Sequence, residues 1–252
     1  MALRRFYVDS REVSDAEVVI RGELFHHIAE VCRFKAGDQF EVLPGDGSAR
    51  LVEIVQMGSR ELKARVMSRR DLPPLPKPRV TLCLSMPKLP KVDWIVEKCV
   101  ELGVFEIRPF VSDYSFLRKA SEISENRLQR WQKLVQAATQ QSGRGDLMRV
   151  HGAVTLEKLL DAFNRQPSTG GLFPYEGPSP LRLPEALRAL KNQELEDIWV
   201  FVGSEGGFSK EEVELFARYG LNPVSMGDQI LRVETACLAL MSIIKYESGA
   251  LA

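Results

Sequence analysis

The sequence predicts an α/β protein in which a small β-barrel precedes a parallel sheet covered by helices on both faces. Three observations carry this. From residue 80 onward, apolar strand-like runs alternate with stretches of helical period, the pattern of strand–helix–strand units and so of parallel pairing. Before that, short β-type runs follow one another with one short helix among them. Between the two lies Asp71-Leu72-Pro73-Pro74-Leu75-Pro76-Lys77-Pro78, whose four prolines remove amide donors and favour an extended, semi-rigid linker. The expected organisation is a barrel over 1–72, a linker over 73–78 and an α/β domain over 79–252.

Bulk properties bound the rest. A chain of 252 residues that is 44% hydrophobic can fill a packed core. Basic and acidic residues balance at 34 each, so overall charge points to no polyanionic partner, and any RNA contact has to come from local patches. Cys32, Cys83, Cys99 and Cys237 are too far apart for a metal knuckle or redox pair and fall in apolar segments, as reduced core thiols do. The start, MALRRFYVDS, lacks the apolar centre of a signal peptide and no apolar run is long enough for a bilayer, so no membrane association and a cytoplasmic location are expected.

Strands are expected at 5–8, 18–20, 39–43, 49–55 and 61–67. Pro44-Gly45-Asp46-Gly47 makes a turn, and alternation through Ala49-Arg50-Leu51-Val52-Glu53-Ile54 suits a sheet with one wet face. His26 and His27 open the short helix; no third ligand stands at a workable spacing, so no metal site is expected. Arg50, Arg60, Lys63, Arg65, Arg69 and Arg70 make either a track for a phosphate backbone or an ordinary solvated barrel face.

In the second part, strands are expected at 80–85, 106–111, 149–153 and 171–173, and helices at 92–102, 125–141, 156–163 and 184–190. Within 125–141, Leu128, Trp131, Leu134, Val135 and Ala138 fall at helical spacing, leaving Arg127, Arg130 and Lys133 as a solvated rim. The richest stretch runs from Asp197 to Lys245. Ile198 to Val202 is a continuous apolar run, typical of a strand covered on both faces, and it stops at Gly203. Gly203, Gly206 and Gly207 permit close main-chain approach, and Ser209 with Glu212 reads as a capping box opening a helix that ends at Gly220. A glycine turn between a strand's carboxyl end and a helix is either a ligand wall or a tight connection. A second turn, Gly227-Asp228-Gln229-Ile230-Leu231, leads to Arg232, Glu234 and Thr235 at the mouth of a helix that is apolar almost all round; those charges need partners, each other or a ligand.

GSEGGFS together with GDQILRVETA, supported by HHIAEVCRFKAGD, KVDWIVEKCVELGV and QQSGR, resembles the signatures of the bacterial 16S ribosomal RNA uridine-N3 methyltransferases of the SPOUT class, over essentially the whole chain. That resemblance implies a PUA-like RNA-binding barrel, a SPOUT-type parallel sheet closed by a deep trefoil knot, a homodimer through the C-terminal domain, and S-adenosylmethionine as cofactor. The implied reaction is methylation of N3 of a uridine in 16S rRNA, within the small ribosomal subunit. It places the cofactor against Leu172, Phe173, Gly203, Ser204, Glu205, Gly206, Gly207, Met226, Gly227, Ile230, Leu231 and Thr235. Arg232 and Glu234 are the implied catalytic pair, with Arg33, Lys88 and Arg144 on the RNA. Arg232 would stabilise the developing uracil anion or an RNA phosphate, whereas Glu205 and Glu234 act as bases or as loop struts, and a carboxylate is a weak base for this proton, which favours struts. The chain departs from the family pattern at Ser204 (usually proline), Gln229 and Tyr114 (arginine), Val233 (threonine) and Glu97 (glutamine). Two rival readings remain: an RNA-binding relative without activity or with another target, and a nucleotide enzyme, against which stands the lack of GxGxxG after an early strand and of GxxxxGK[ST].

Overall fold

The computed structural model describes residues 3–250. The chain divides into two compact units, one reaching to Pro74 and also taking in Gln136–Leu147, the other built from Leu75–Val135 and the chain from Met148 onward.

In the first unit, β1 (Arg5–Tyr7), β2 (Glu17–Arg21), β3 (Gln39–Leu43), β4 (Ser48–Met57) and β5 (Glu61–Asp71) form one sheet in the order β1-β3-β4-β5-β2, antiparallel except for the β1–β3 pair. Alternation sends Phe6, Val18, Ile20, Phe40, Val42, Val52, Ile54 and Leu62 into a common core, and irregular register between Leu51 and Val52 and between Ile54 and Gln56 helps the sheet curl into a half-barrel. The short helix α1 (Gly22–His26) runs into a wider π-type turn, His27–Val31, so the two histidines sit at a junction and not at a helix start. Several basic residues of the expected RNA track are engaged: Arg50 is buried 3.2 Å from Asp46, Arg70 reaches Glu41, and Arg65 pairs with Glu53.

The second unit holds β6 (Arg79–Ser85), α2 (Leu89–Glu101), β7 (Glu106–Val111), most of α3 (Glu125–Ser142), β8 (Arg149–Val150), β9 (Val154–Thr155) and α4 (Leu156–Asn164). It continues with β10 (Thr169–Pro174), β11 (Leu181–Arg182), α5 (Leu183–Lys191), β12 (Asp197–Val202), α6 (Lys210–Arg218), β13 (Pro223–Ser225) and α7 (Val233–Glu247). All its strand pairs are parallel, in the order β11-β13-β10-β12-β6-β7-β8, with β9 also on β7. Five of the six residues of β12 are buried, as its unbroken apolar run requires. An aromatic cluster holds α6 to the sheet: Phe216 stacks on Phe173 at 4.2 Å and meets Phe201 edge-on at 5.4 Å. The last helix, α7, buries Val233, Cys237, Leu240, Met241 and Ile244, while Ile243 and Tyr246 stay exposed. Among the described residues, no helix is long and apolar enough to cross a membrane and no cluster of His, Cys, Asp and Glu could hold a metal ion.

One buried carboxylate in this unit is ionic by design. Glu106 of β7 accepts from His151 Nε2 at 2.7 Å and from Arg108 Nε at 2.6 Å. Burial alone would push its carboxyl up, but those two donors and the Arg108 charge outweigh it and hold the group at about 2. A depressed carboxyl stabilises the fold above its unfolded value and loses that contribution as pH falls through the folded one; the shift corresponds to something on the order of 3 kcal/mol. Urea melts of Glu106→Gln should therefore show a deficit at neutral pH that shrinks steadily from about pH 5 towards pH 2. A pH-independent deficit would contradict this account.

Candidate active site

The strands β13, β10 and β12 are adjacent and parallel, so their carboxyl ends open on one edge of the sheet, where ligands of such folds collect. The loops leaving them enclose a cavity of about 400 Å³, lined by residues 174–177, by Gly203, Ser204, Gly206, Gly207 and Phe208, by residues 226–231, and by Val233 and Ala236 of α7. Among the described residues, its charged lining consists of Glu176 and Asp228, with no lysine, arginine or histidine. Such a wall suits a cationic ligand with apolar and hydrogen-bonding parts and disfavours a polyphosphate.

The glycine turn is fixed by main-chain contact. A side chain on Gly203 would meet the backbone of Gly207 at 3.0 Å, and Gly207 itself has φ of 67°, where a side chain is strained. Its N–H donates to the Ser204 carbonyl at 2.9 Å, closing the turn. The Ser204 hydroxyl donates to the Tyr114 carbonyl at 2.6 Å, and Gly206 lies so close to Tyr114 that a Cβ would come within 2.7 Å of it. Ser209 caps α6 and donates its hydroxyl to Asp113 at 2.5 Å, while the Asp113 N–H donates to Glu212 at 2.9 Å. Burial pushes the Glu212 carboxyl up against the pull of those amides. The loop after β7 is thus stapled to the glycine turn at both ends.

A lysine connects the glycine turn after β12 to the start of α7. Lys91 Nζ, on α2, lies 3.2 Å from Glu205 and 3.0 Å from Glu234. Partial burial raises both carboxyls, but the local main-chain N–H groups and the Lys91 ammonium outweigh it and keep both below the usual carboxylate range, so they stay ionised. The Lys88 N–H also donates to Glu205, at 3.3 Å. Arg232 is exposed at the N-cap of α7 and makes no side-chain hydrogen bond or ion pair among the described residues.

Of the expected cofactor residues, Gly203, Ser204, Gly206, Gly207, Met226, Gly227, Ile230 and Leu231 line the cavity. Leu172 and Phe173 do not: β10 continues to Pro174, so both are buried in the core, Phe173 against Phe216, and the wall is made by the residues that follow. Glu205 and Thr235 also lie outside the lining, Glu205 turned to Lys91 and Thr235 exposed. Arg144, expected on RNA, is buried with its guanidinium forked on Asp146 at 2.9 and 2.7 Å. Lys88 is exposed, and so is Arg33, whose φ of 57° marks a left-handed turn. The sequence reading missed Lys91, Asp113, Tyr175, Glu176 and Asp228 as parts of this site. Glu176 and Asp228 had a signal, since each sits in a turn at the end of an apolar run; Lys91 opens the quoted motif KVDWIVEKCVELGV, but nothing in it points to Glu205 or Glu234, and Asp113 had none.

Comparison with known proteins follows the same geometry. Residues 73–245 match the family model of the RNA methyltransferase domain, and residues 20–67 match that of the RNA methyltransferase PUA domain. The chain is 31% identical over 235 residues to a ribosomal RNA small subunit methyltransferase E of Synechocystis, covering 92% of this chain and 74% of that protein. A protein of the same description from Bacillus subtilis is 27% identical over 255 residues, 98% of this chain and 97% of that one. The crystal structure of a ribosomal RNA small subunit methyltransferase E from Neisseria gonorrhoeae bound to S-adenosyl methionine superposes with a TM-score of 0.83 at 25% identity, covering 97% of this chain and 98% of that chain.

The contact at Gly203 sets a test by contrast. A methyl there would press on main chain that no rotamer change can move, whereas Gly152 has open space and an unstrained backbone. Gly203→Ala should lose about 1–3 kcal/mol, and Gly152→Ala should stay within about 0.5 kcal/mol of the parent. Equal melting temperatures for the two variants would refute the close approach.

Proposed function

Since this chain belongs to the family of ribosomal RNA small-subunit methyltransferases, we propose that it transfers the methyl group of S-adenosylmethionine to N3 of a uridine in 16S ribosomal RNA. The observation that carries the reading is the charge pattern of the cavity: two carboxylates and no cation in the wall, with Lys91 and Arg232 kept outside it. A sulfonium ligand fits such a wall, and the bare main chain of Gly203, Gly207 and Gly227 offers amides and carbonyls to an adenosine without side chains in the way. S-adenosylmethionine supplies the activated methyl group.

The residues of this chain do the rest. Gly203, Ser204, Gly206, Gly207, Met226, Gly227, Ile230 and Leu231 hold the cofactor, together with the turn at 174–177. Ile230, 76% exposed beside the cavity, is covered when the site fills. Arg232, unpaired at the rim, stabilises the uracil as its N3 proton leaves or grips the adjoining phosphate. Glu234 and Glu205 brace the loops through Lys91, because carboxylates held low by an ammonium are poorer bases still. The half-barrel with Arg33 anchors the RNA, the last loops are threaded as a trefoil knot, and a second copy covers the outer face of α7, where Ile243 and Tyr246 are exposed. The protein acts on the small ribosomal subunit in the cytoplasm.

Mass spectrometry of 16S rRNA nucleosides should lose one N3-methyluridine when the gene is deleted and regain it on complementation; unchanged modification would refute the assignment. Arg232→Ala should lower the methylation rate by about 100-fold or more while leaving cofactor affinity and assembly size intact. Lys91→Met, which strands two carboxylates, should weaken S-adenosylmethionine binding about tenfold by calorimetry, with Lys91→Arg restoring most of it. Full affinity in Lys91→Met would show that the bridge does not shape the cavity.

A further inference from the structure

Next to the glycine turn, the second unit carries a groove of about 820 Å³ between the start of α2, the segment that follows β7, and the first turns of α3. That volume lies within the range of about 300–1,000 Å³ typical of sites for small organic groups. Phe116 lines it and is 52% exposed, although its main chain is tied down, the N–H donating to the Met86 carbonyl at 2.8 Å. A phenylalanine held half in water by an ordered backbone contributes little to the fold and presents an aromatic face to whatever enters.

The charge around it is one-sided. Asp93 is the one acidic residue of the lining, and both its oxygens are taken, Oδ2 by Arg130 Nε at 2.8 Å and Oδ1 by Trp131 Nε1 at 3.0 Å. The Lys88 ammonium and the Arg127 guanidinium make no hydrogen bond or ion pair among the described residues. The groove thus offers two uncompensated cations flanking an exposed ring. An acidic peptide would use the cations and leave the ring idle; a duplex would meet the cations with its backbone and keep its bases stacked inside. An unpaired nucleotide uses both, base on ring and phosphate on guanidinium. The groove also adjoins the glycine turn, because Lys88, which lines it, donates its main-chain N–H to Glu205 in that turn.

We propose that this groove seats one or more unpaired nucleotides flanking the residue to be methylated, with a base stacked on Phe116 and phosphate held by Arg127 and Lys88. The proposal rests on the RNA-methylating reading above and adds the surface that presents the strand to the cavity.

The test is equilibrium binding of a fluorescein-labelled oligouridylate to the full chain, with cofactor affinity measured in parallel by calorimetry. Phe116→Ala should weaken oligouridylate binding about 5- to 100-fold, Phe116→Trp should restore it, and Arg127→Gln should reduce the slope of log affinity against log salt by about 0.7. Cofactor affinity and melting temperature should be those of the parent in all three. Parental binding by Phe116→Ala, no measurable oligouridylate binding by the parent, or equally tight binding of an oligoglutamate peptide would each overturn the proposal. If Phe116-dependent binding is found but small-subunit RNA stays unmethylated, the reaction assigned above fails and the groove stands; methylation with Phe116-independent binding sinks the groove alone.

Discussion

The site depends on the main-chain contact between Gly203 and Gly207. Because β12 is parallel to its neighbours and buried, its end is fixed in space; the chain must then turn within a few residues to start α6, and it does so by laying backbone on backbone at 3.0 Å from where a Cβ would stand. A side chain at Gly203 would press on that turn, and its backbone would have to give by a few tenths of an ångström. The remaining contacts serve the same end. Ser204 and Ser209 reach across to the loop after β7, Glu212 closes the capping box, and Phe208 and Phe216 press the first turn of α6 onto the aromatic core. The turn is rigid because it is held from the strand, the helix and the neighbouring loop together.

Charge is sorted around this frame. The cavity wall carries only Glu176 and Asp228, while Lys91, Lys88, Arg232 and Arg127 stand outside it. Bringing an ammonium into a partly enclosed space beside a sulfonium would cost several kcal/mol at an effective dielectric near 20. Tying Lys91 between Glu205 and Glu234 prevents this, and the same bridge links the loop after β12 to the mouth of α7. On the proposed reading, cofactor and RNA carry opposite charge, and this separation lets one edge of one sheet accept both.

Much of this was legible in the sequence. The apolar run before Gly203, the Ser209–Glu212 capping box and the strand–helix alternation are local patterns, and β12, α6 and the parallel sheet follow from them. What stayed hidden depends on contacts between distant segments. Nothing near Lys91 announces Glu205 or Glu234, and nothing in Ser112-Asp113-Tyr114-Ser115 announces the glycine turn. Leu172 and Phe173 were expected at the wall, but β10 runs one residue past the expected end, to Pro174, so their side chains pack in the core and the cavity is lined by 174–177. Gln136–Leu147 groups with the first unit although it continues a helix begun in the second, with the Tyr7 N–H donating to Gln140 at 2.7 Å, and an apolar period does not say which partner it meets.

The departures from the family pattern acquire a physical meaning here. A proline at 204 would stiffen the turn through its ring; the serine fixes the same place by a hydroxyl hydrogen bond to Tyr114, so rigidity is kept by another route. Where arginine is common at 114, this chain has a tyrosine that is 52% exposed, two residues before the equally exposed Phe116. On the proposed reading, a ring in place of a guanidinium would give up a phosphate contact and its counterion release but add a stacking face. With Gln229 the same exchange of charge for polarity occurs at the cavity rim. On the proposed reading, recognition on this side of the molecule would lean on base stacking at Tyr114 and Phe116 more than on phosphate charge, with Arg127 and Lys88 supplying cations in place of an arginine at 114.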